Sequence, residues 1–174
     1  SLENPYFPKE VYYRRKETMD PRRFSAIYGG KFEKMQGLVF DSFDEELNGY
    51  HQAALPPGTK FFGGIDWGYT DPFVFQVRAI TPDGRHYQLS EFYKTGMGID
   101  AVIALVVKKQ GIYNMKMIFC DPSQPGYIKA LQNRKIPAIG AVNDIRLGID
   151  AHYELIHSRK FKVLKGSSPN SINE

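Results

Sequence analysis

The chain has 174 residues, of which 42% are hydrophobic, enough for a core in one large domain or in one domain with an appendage. Its longest apolar run, Ala101 to Val107, is far short of the ~20 residues of a membrane span, its first residues lack the basic and apolar regions of a signal peptide, and its single cysteine, Cys120, excludes an intrachain disulfide and fits a cytosolic context. The net charge of +4 is unevenly placed: residues 121–174 carry 8 basic and 5 acidic groups against 9 and 9 in residues 1–60, a lean toward a polyanionic partner.

The first 60 residues read as an appendage. Pro8 to Thr18 is expected to form a short helix with proline in its first turn. Asp20-Pro21 is a capped start for a second helix, which ends at Gly29-Gly30. Leu38-Val39-Phe40 predicts a short strand, and Asn48 to Lys60, with Gly49, Pro56, Pro57 and Gly58, a linker or long loop. From Phe61 the pattern sharpens. Phe61 to Asp66 is an apolar strand, and Phe73 to Ile80 a second with Phe73, Phe75, Val77 and Ala79 on one face. Thr81 to Arg85 makes a hairpin turn, and a third strand returns to Tyr93.

Ile99, Val102, Ile103 and Val106 mark a helix that is expected to end at Gly111. A short strand from Lys116 to Cys120 follows, then a helix from Ser123 to Asn133 with Ile128 and Leu131 inward, and a strand from Ile136 to Ile139. Asn143 caps a helix running to about Ser158, with Ile145, Ile149, Tyr153 and Ile156 inward, and Phe161 to Leu164 is the last strand. From Gly166 the composition is polar, predicting a fraying tail. Three antiparallel strands followed by alternating strands and helices predict an α/β fold, a mixed sheet with helices on both faces. This order resembles that of RNase H-like proteins.

In that arrangement the fourth strand lies parallel beside the first, so Asp66 and Asp121, at two strand ends, come close together. Neighbouring carboxylates repel, and a hard divalent cation with its preference for oxygen ligands relieves the repulsion. Two such ions ~3.5–4 Å apart clamp the attacking and leaving oxygens of a phosphodiester. Glu91 shares strand parity with Tyr87, Leu89 and Tyr93, on a strand expected to neighbour the first; it stands either as a further metal ligand or base, or as an edge-facing or paired glutamate. Asp71 reads as a turn former, and Asp144 and Asp150 as helix-terminal and surface groups. The four histidines show no metal-ligand spacing. Lys129, Arg134, Lys135, Arg146, Arg159, Lys160, Lys162 and Lys165 either line a phosphate track or form a solvated face. No G-x-x-x-x-G-K-[ST] is present. Asp66-Trp67-Gly68-Tyr69-Thr70 also matches the D-x-G-x-T phosphate loop of actin-like kinases, but the second glycine-rich motif and second large domain of that fold do not fit this length.

Three stretches together resemble the large terminase subunit of tailed phages and prophages: Gly63 to Pro72 (GGIDWGYTDP), Phe119 to Gly126 (FCDPSQPG) and Asn143 to Ile149 (NDIRLGI). Pro21 to Glu33 is similar to the end of that family's ATPase domain. The resemblance implies a division into a motor-side appendage at 1–60 and an RNase H-like nuclease domain at 61–174. Ser1 is not a native start, and the expectation is of a piece truncated within its last domain. The resemblance further implies a two-metal endonuclease that cuts concatemeric double-stranded DNA during packaging, with catalytic Asp66 and Asp121 holding Mg²⁺ or Mn²⁺. Lys129, Arg134, Lys135, Arg146, Arg159 and Lys160 are the candidate DNA contacts. The whole protein would meet the terminase small subunit and the portal in the cytoplasm of a bacterial host. A third family aspartate lies in a C-terminal D-H-x-x-D-A-type segment, which these 174 residues do not contain, so weak cleavage is expected of them. Alternatives are another RNase H-like nuclease, such as a resolvase or transposase, and a non-catalytic DNA-docking or assembly module.

Overall fold

The computed structural model describes residues 8–19, 21, 24, 28, 40, 42–51 and 54–170. Helix α1 (Lys9–Thr18) follows Pro8. Of the second expected helix only Pro21, Phe24 and Tyr28 are described, all helical, and Tyr12 packs edge-on against Phe24 and Tyr28 at 5.0 and 5.6 Å. The strand expected at 38–40 lies outside the described residues except for Phe40, which is in a turn.

The stretch expected as a linker begins instead with structure. A one-turn helix α2 (Glu45–Asn48), capped by the Asp44 side chain, runs into a two-residue strand, β1 (Gly49–Tyr50). Tertiary bonds override the local composition here. The buried Asn48 donates to the Phe161 carbonyl at 2.9 Å, Arg159 reaches the Ser42 carbonyl and Asn48 Oδ1, and Lys162 donates to the Leu47 carbonyl at 2.6 Å.

The remaining elements are β2 (Lys60–Asp66), β3 (Phe73–Ile80), β4 (His86–Lys94), α3 (Ile99–Tyr113), β5 (Met117–Cys120), α4 (Pro125–Asn133), β6 (Ala138–Gly140), α5 (Ile145–His157) and β7 (Phe161–Leu164). They form one seven-stranded sheet in the order β1-β7-β4-β3-β2-β5-β6. β2, β3 and β4 are the antiparallel meander; β5 pairs parallel with β2 and β6 with β5, while β7 adds in parallel to β4. The third strand of the meander therefore neighbours β3 and β7, not the first strand as expected.

Three local expectations are corrected. α3 passes through Gly111 and stops at Asn114, whose backbone takes the left-handed conformation (φ 47°). α5 is capped by Asp144, which accepts from the Leu147 N–H at 3.1 Å, rather than by Asn143. Ile145 is 72% exposed, so only the C-terminal half of α5 turns Tyr153 and Ile156 inward. The tail does not fray before Asn170: Ser168 is buried, and the Asn170 backbone N–H donates to Glu91 Oε2 at 3.0 Å.

The two faces of the sheet are covered unequally. On one, Ile65, Phe73, Phe75, Val77, Ile118 and Cys120 pack against Val102, Ile103 and Val106 of α3 and Ile128 and Leu131 of α4. On the other, α5 buries Ile156 against Phe161 and Val163. Toward β5 and β6 this second face carries the exposed Phe119 and Ile139.

Beneath α5 the Arg78 guanidinium lies 4.9 Å above the Phe161 ring, and His152 packs against Phe161 and Phe40 at 4.5 and 5.0 Å. Burial first, then the charge of Arg78, pushes His152 down to about 3 and His86 below its usual value. The fold thus favours neutral imidazoles. Their contribution is fully present above the unfolded-state value of ~6.5 and drains away as pH falls below it, because the unfolded chain takes up the protons first. Calorimetric melting temperature should therefore drop between pH 7 and pH 5, above the range where most carboxylates titrate. His152→Phe should flatten that slope; an unchanged slope would refute the assignment.

Candidate functional site

The parallel ladder between β2 and β5 pairs Ile65 with Cys120, and the Asp121 N–H extends it to the Ile65 carbonyl at 2.9 Å. Asp66 and Asp121 thus follow the last paired residues of adjacent strands, which run ~4.8 Å apart. Each side chain is held differently. Both Asp121 oxygens accept from Ser123, Oδ1 from its N–H at 3.1 Å and Oδ2 from its hydroxyl at 2.7 Å. Asp66 stays open to solvent, and its carboxyl is raised above the usual range, first by partial burial, then by the charge of Asp121, with a smaller push from Asp71. A hydrogen bond from the Trp67 backbone works in the opposite direction.

Trp67 straps the two strand ends together. Its indole Nε1–H donates to the Asp121 carbonyl at 2.7 Å, and its ring lies edge-on to Tyr127 at 5.5 Å and beside Phe73 at 6.1 Å. The next residue must be glycine for a steric reason. A Cβ at Gly68 would sit 2.4 Å from the carbonyl oxygens of both Asp71 and Pro72, so the loop from β2 to β3 closes only without a side chain there. That closure carries Asp71 back toward Asp66, giving Asp71 an electrostatic part beyond turn forming. The Gly96 N–H donates to the Tyr69 carbonyl at 2.8 Å and ties this loop to the end of β4.

Glu91 lies on the same face but further off. A register shift at Val77/Arg78 leaves Leu89 unpaired, so Leu89 packs with the α3 core while Glu91 lies opposite Gln76, which in turn lies opposite Gly64. The simple alternation that grouped Glu91 with Leu89 is broken by this bulge. Glu91 is two strands, ~10 Å, from β2, and its carboxylate accepts from Asn170. Among the described residues no three His, Cys, Asp or Glu side chains converge as a metal-binding group.

The basic candidates are dispersed. Lys129, Arg134 and Lys135 gather at α4 and just beyond it, and Arg134 bonds the Ala130 carbonyl of its own helix. Arg146 and Lys160 sit near opposite ends of α5, both exposed. Arg159, Lys162 and Lys165 are engaged with residues 42–48. Sequence inspection missed Trp67 and Ser123 as site residues. The tryptophan between Asp66 and Gly68, and a serine two places after Asp121, where Asx-type bonding is common, were the available signals.

No protein-family model matches the chain, and no curated protein is similar in sequence. Solved structures do share its fold. The large terminase of a thermophilic bacteriophage, in complex with ATP-γ-S, superposes with a TM-score of 0.80 at 19% identity, covering 92% of this chain and 42% of that one. The P22 large terminase nuclease domain matches at TM-score 0.61 and 14% identity over 76% of this chain and 75% of its own. The nuclease domain of the large terminase from bacteriophage SPP1, solved with bound Mn, matches at 0.57 and 19% over 78% and 77%. The chain therefore has the α/β fold of terminase nuclease domains, and spans 42% of the length of the thermophilic phage's large terminase.

The two glycines around Asp66 make a matched test. Gly68→Ala should cost about 2 kcal/mol in urea unfolding, the usual cost of overpacking. Gly64→Ala, where an added Cβ meets nothing within 4 Å, should stay within about 0.5 kcal/mol of the parent. Equal effects would overturn the steric account of the loop.

Proposed function

We propose that this chain is the metal-dependent nuclease module of a phage or prophage large terminase, cutting concatemeric double-stranded DNA during genome packaging. One observation carries the proposal: two carboxylates at the ends of adjacent parallel strands, close enough that the charge of Asp121 raises Asp66. The likeness of fold to terminase nuclease domains, one of them solved with Mn, supports it. Asp66 and Asp121 offer only oxygen donors, which suit a hard divalent ion, Mg²⁺ or Mn²⁺, and such an ion completes its shell with water where the protein offers few ligands. A divalent ion supplies Lewis-acid activation for phosphodiester hydrolysis. Ser123 fixes the direction of the Asp121 carboxylate through its N–H and hydroxyl, and Trp67 holds the spacing. Lys129, Arg134, Lys135, Arg146 and Lys160 are assigned to the DNA backbone. Arg159 keeps that assignment only in part, because it also holds residues 42–48.

The division at residue 60 is retained as part of the proposal, with the edge strand β1 contributed from the motor side. Among the described residues no helix is long and apolar enough to cross a membrane. Within a whole terminase the partners would be the small subunit and the portal, in the host cytoplasm. A second interpretation, a non-catalytic DNA-docking module, is favoured because, among the described residues, no three His, Cys, Asp or Glu side chains are grouped closely enough to hold a metal ion. Nicking of supercoiled plasmid in Mn²⁺ separates the two.

Titration calorimetry with Mn²⁺ tests the site directly. Asp66→Asn should weaken binding at least tenfold, and Trp67→Phe, which keeps the ring and loses the donor, should weaken it less. Because Asp66 holds its proton to higher pH than an ordinary carboxylate, the parent's Mn²⁺ affinity should fall from pH 7 to pH 5. In EDTA the sign reverses: Asp66→Asn should melt higher at pH 7, since it removes a charge that the fold disfavours. Equal Mn²⁺ binding by the parent and Asp66→Asn would remove the site.

A further inference from the structure

We infer that Tyr69 and Tyr93 form a stacking platform for unpaired bases beside Asp66, so that DNA is engaged with its strands locally opened. The inference rests on the nuclease assignment of Asp66 and Asp121 and names the form of substrate that the site takes. Asp66 lies opposite Val74, and Val74 opposite Tyr93, so the three form one row across the sheet on one face. Two strand spacings put Tyr93 ~10 Å from Asp66, within reach of a base next to a phosphate held there. Tyr69 follows Asp66 in the loop that Gly68 closes, and its carbonyl is bound to Gly96, three residues beyond Tyr93. Both rings are presented to solvent, Tyr69 at 67% and Tyr93 at 43% exposure, although large aromatic groups are ordinarily among the more buried.

On the β4 side of Asp66 the site is lined by aromatic rings, whereas the cations assigned to the DNA backbone at α4 lie on the Asp121 side. Lys94 stands next to Tyr93, but Arg159, Lys162 and Lys165, which dominate the basic excess near β7, are turned toward residues 42–48. Asp66, Asp71 and Asp121 add negative charge at the centre. Tyrosine faces gain little from a phosphate backbone, whereas every base has a π-face on which to stack. Bases inside a duplex are already stacked on both sides and present only their edges, so the occupant that fits is a base freed from its pair.

The test uses a single-stranded oligonucleotide carrying 2-aminopurine, whose fluorescence falls on stacking, with Ca²⁺ as an oxygen-seeking ion. The single strand should bind at least tenfold more tightly than the duplex of the same sequence, and with quenching. Tyr69→Ala and Tyr93→Ala should each weaken it about five- to tenfold and relieve the quenching, while Tyr69→Phe and Tyr93→Phe should retain both. Tyr13→Ala, an exposed tyrosine on α1, should bind like the parent. Parental affinity in both alanine variants, equal weakening by Tyr13→Ala, or duplex binding as tight as single-strand binding would overturn the platform. The nuclease assignment fails separately, by Mn²⁺ binding that survives Asp66→Asn.

Discussion

The parallel pairing of β2 with β5 is the constraint on which the site depends. A carboxylate at a strand end is ordinary, but two of them at one level require adjacent strands in matched register and a fastening beyond the last ladder bond. The indole of Trp67 is that fastening: it spans from the end of β2 to the carbonyl of Asp121 and is wedged between Phe73 and Tyr127. The strap is anchored in the core on one side and bonded to the site on the other. The spacing of the two strand ends therefore derives from the packing of the first sheet face.

The site is also where the fold tolerates an electrostatic cost. Asp66 is driven toward its protonated form by burial and by Asp121, with no basic group among the described residues contributing to the shift. An arginine placed there would have relieved the repulsion and occupied the space a cation needs. The opposite arrangement lies beneath α5, where burial first and the charge of Arg78 second keep His152 and His86 neutral and aromatic rings fill the gaps. Like charges are crowded in both places. Under α5 the conflict is resolved by neutralising the imidazoles; at the strand ends the repulsion between Asp66 and Asp121 stands.

What was legible in the sequence divides along the range of the interactions involved. Alternation in Phe73 to Ile80 located β3 and its buried face, because a half-buried strand is written locally in period two. Asp66 and Asp121 were legible for the same reason, each closing an apolar strand. β1 was not, since Gly49 and Tyr50 pair with Val163 and Leu164, and the preceding Leu47 and Asn48 are bonded to Lys162, Arg159 and Phe161, all more than a hundred positions away. The face of Glu91 was misgrouped because one unpaired residue, Leu89, reverses parity, and nothing in the residue types marks the bulge. Arg159 read as a free cation for the mirror-image reason: a long-range bond claims it.

The unequal covering of the two sheet faces connects these points to function. α3 and α4 close one face, so Ile65, Ile118 and Cys120 are buried just before the strand ends. α5 closes the other only near β7, because its C-terminal half is anchored by Tyr153 and Ile156 while Ile145 projects into solvent. Had α5 reached across to β5 and β6, Phe119 and Ile139 would be core residues and Asp66 would be sealed beneath a helix. A buried carboxylate pair would then need neutralisation by protonation or by a bound cation. The short overlap of α5 with the sheet leaves Asp66 backed by the packed core on one face of β2 and exposed on the other.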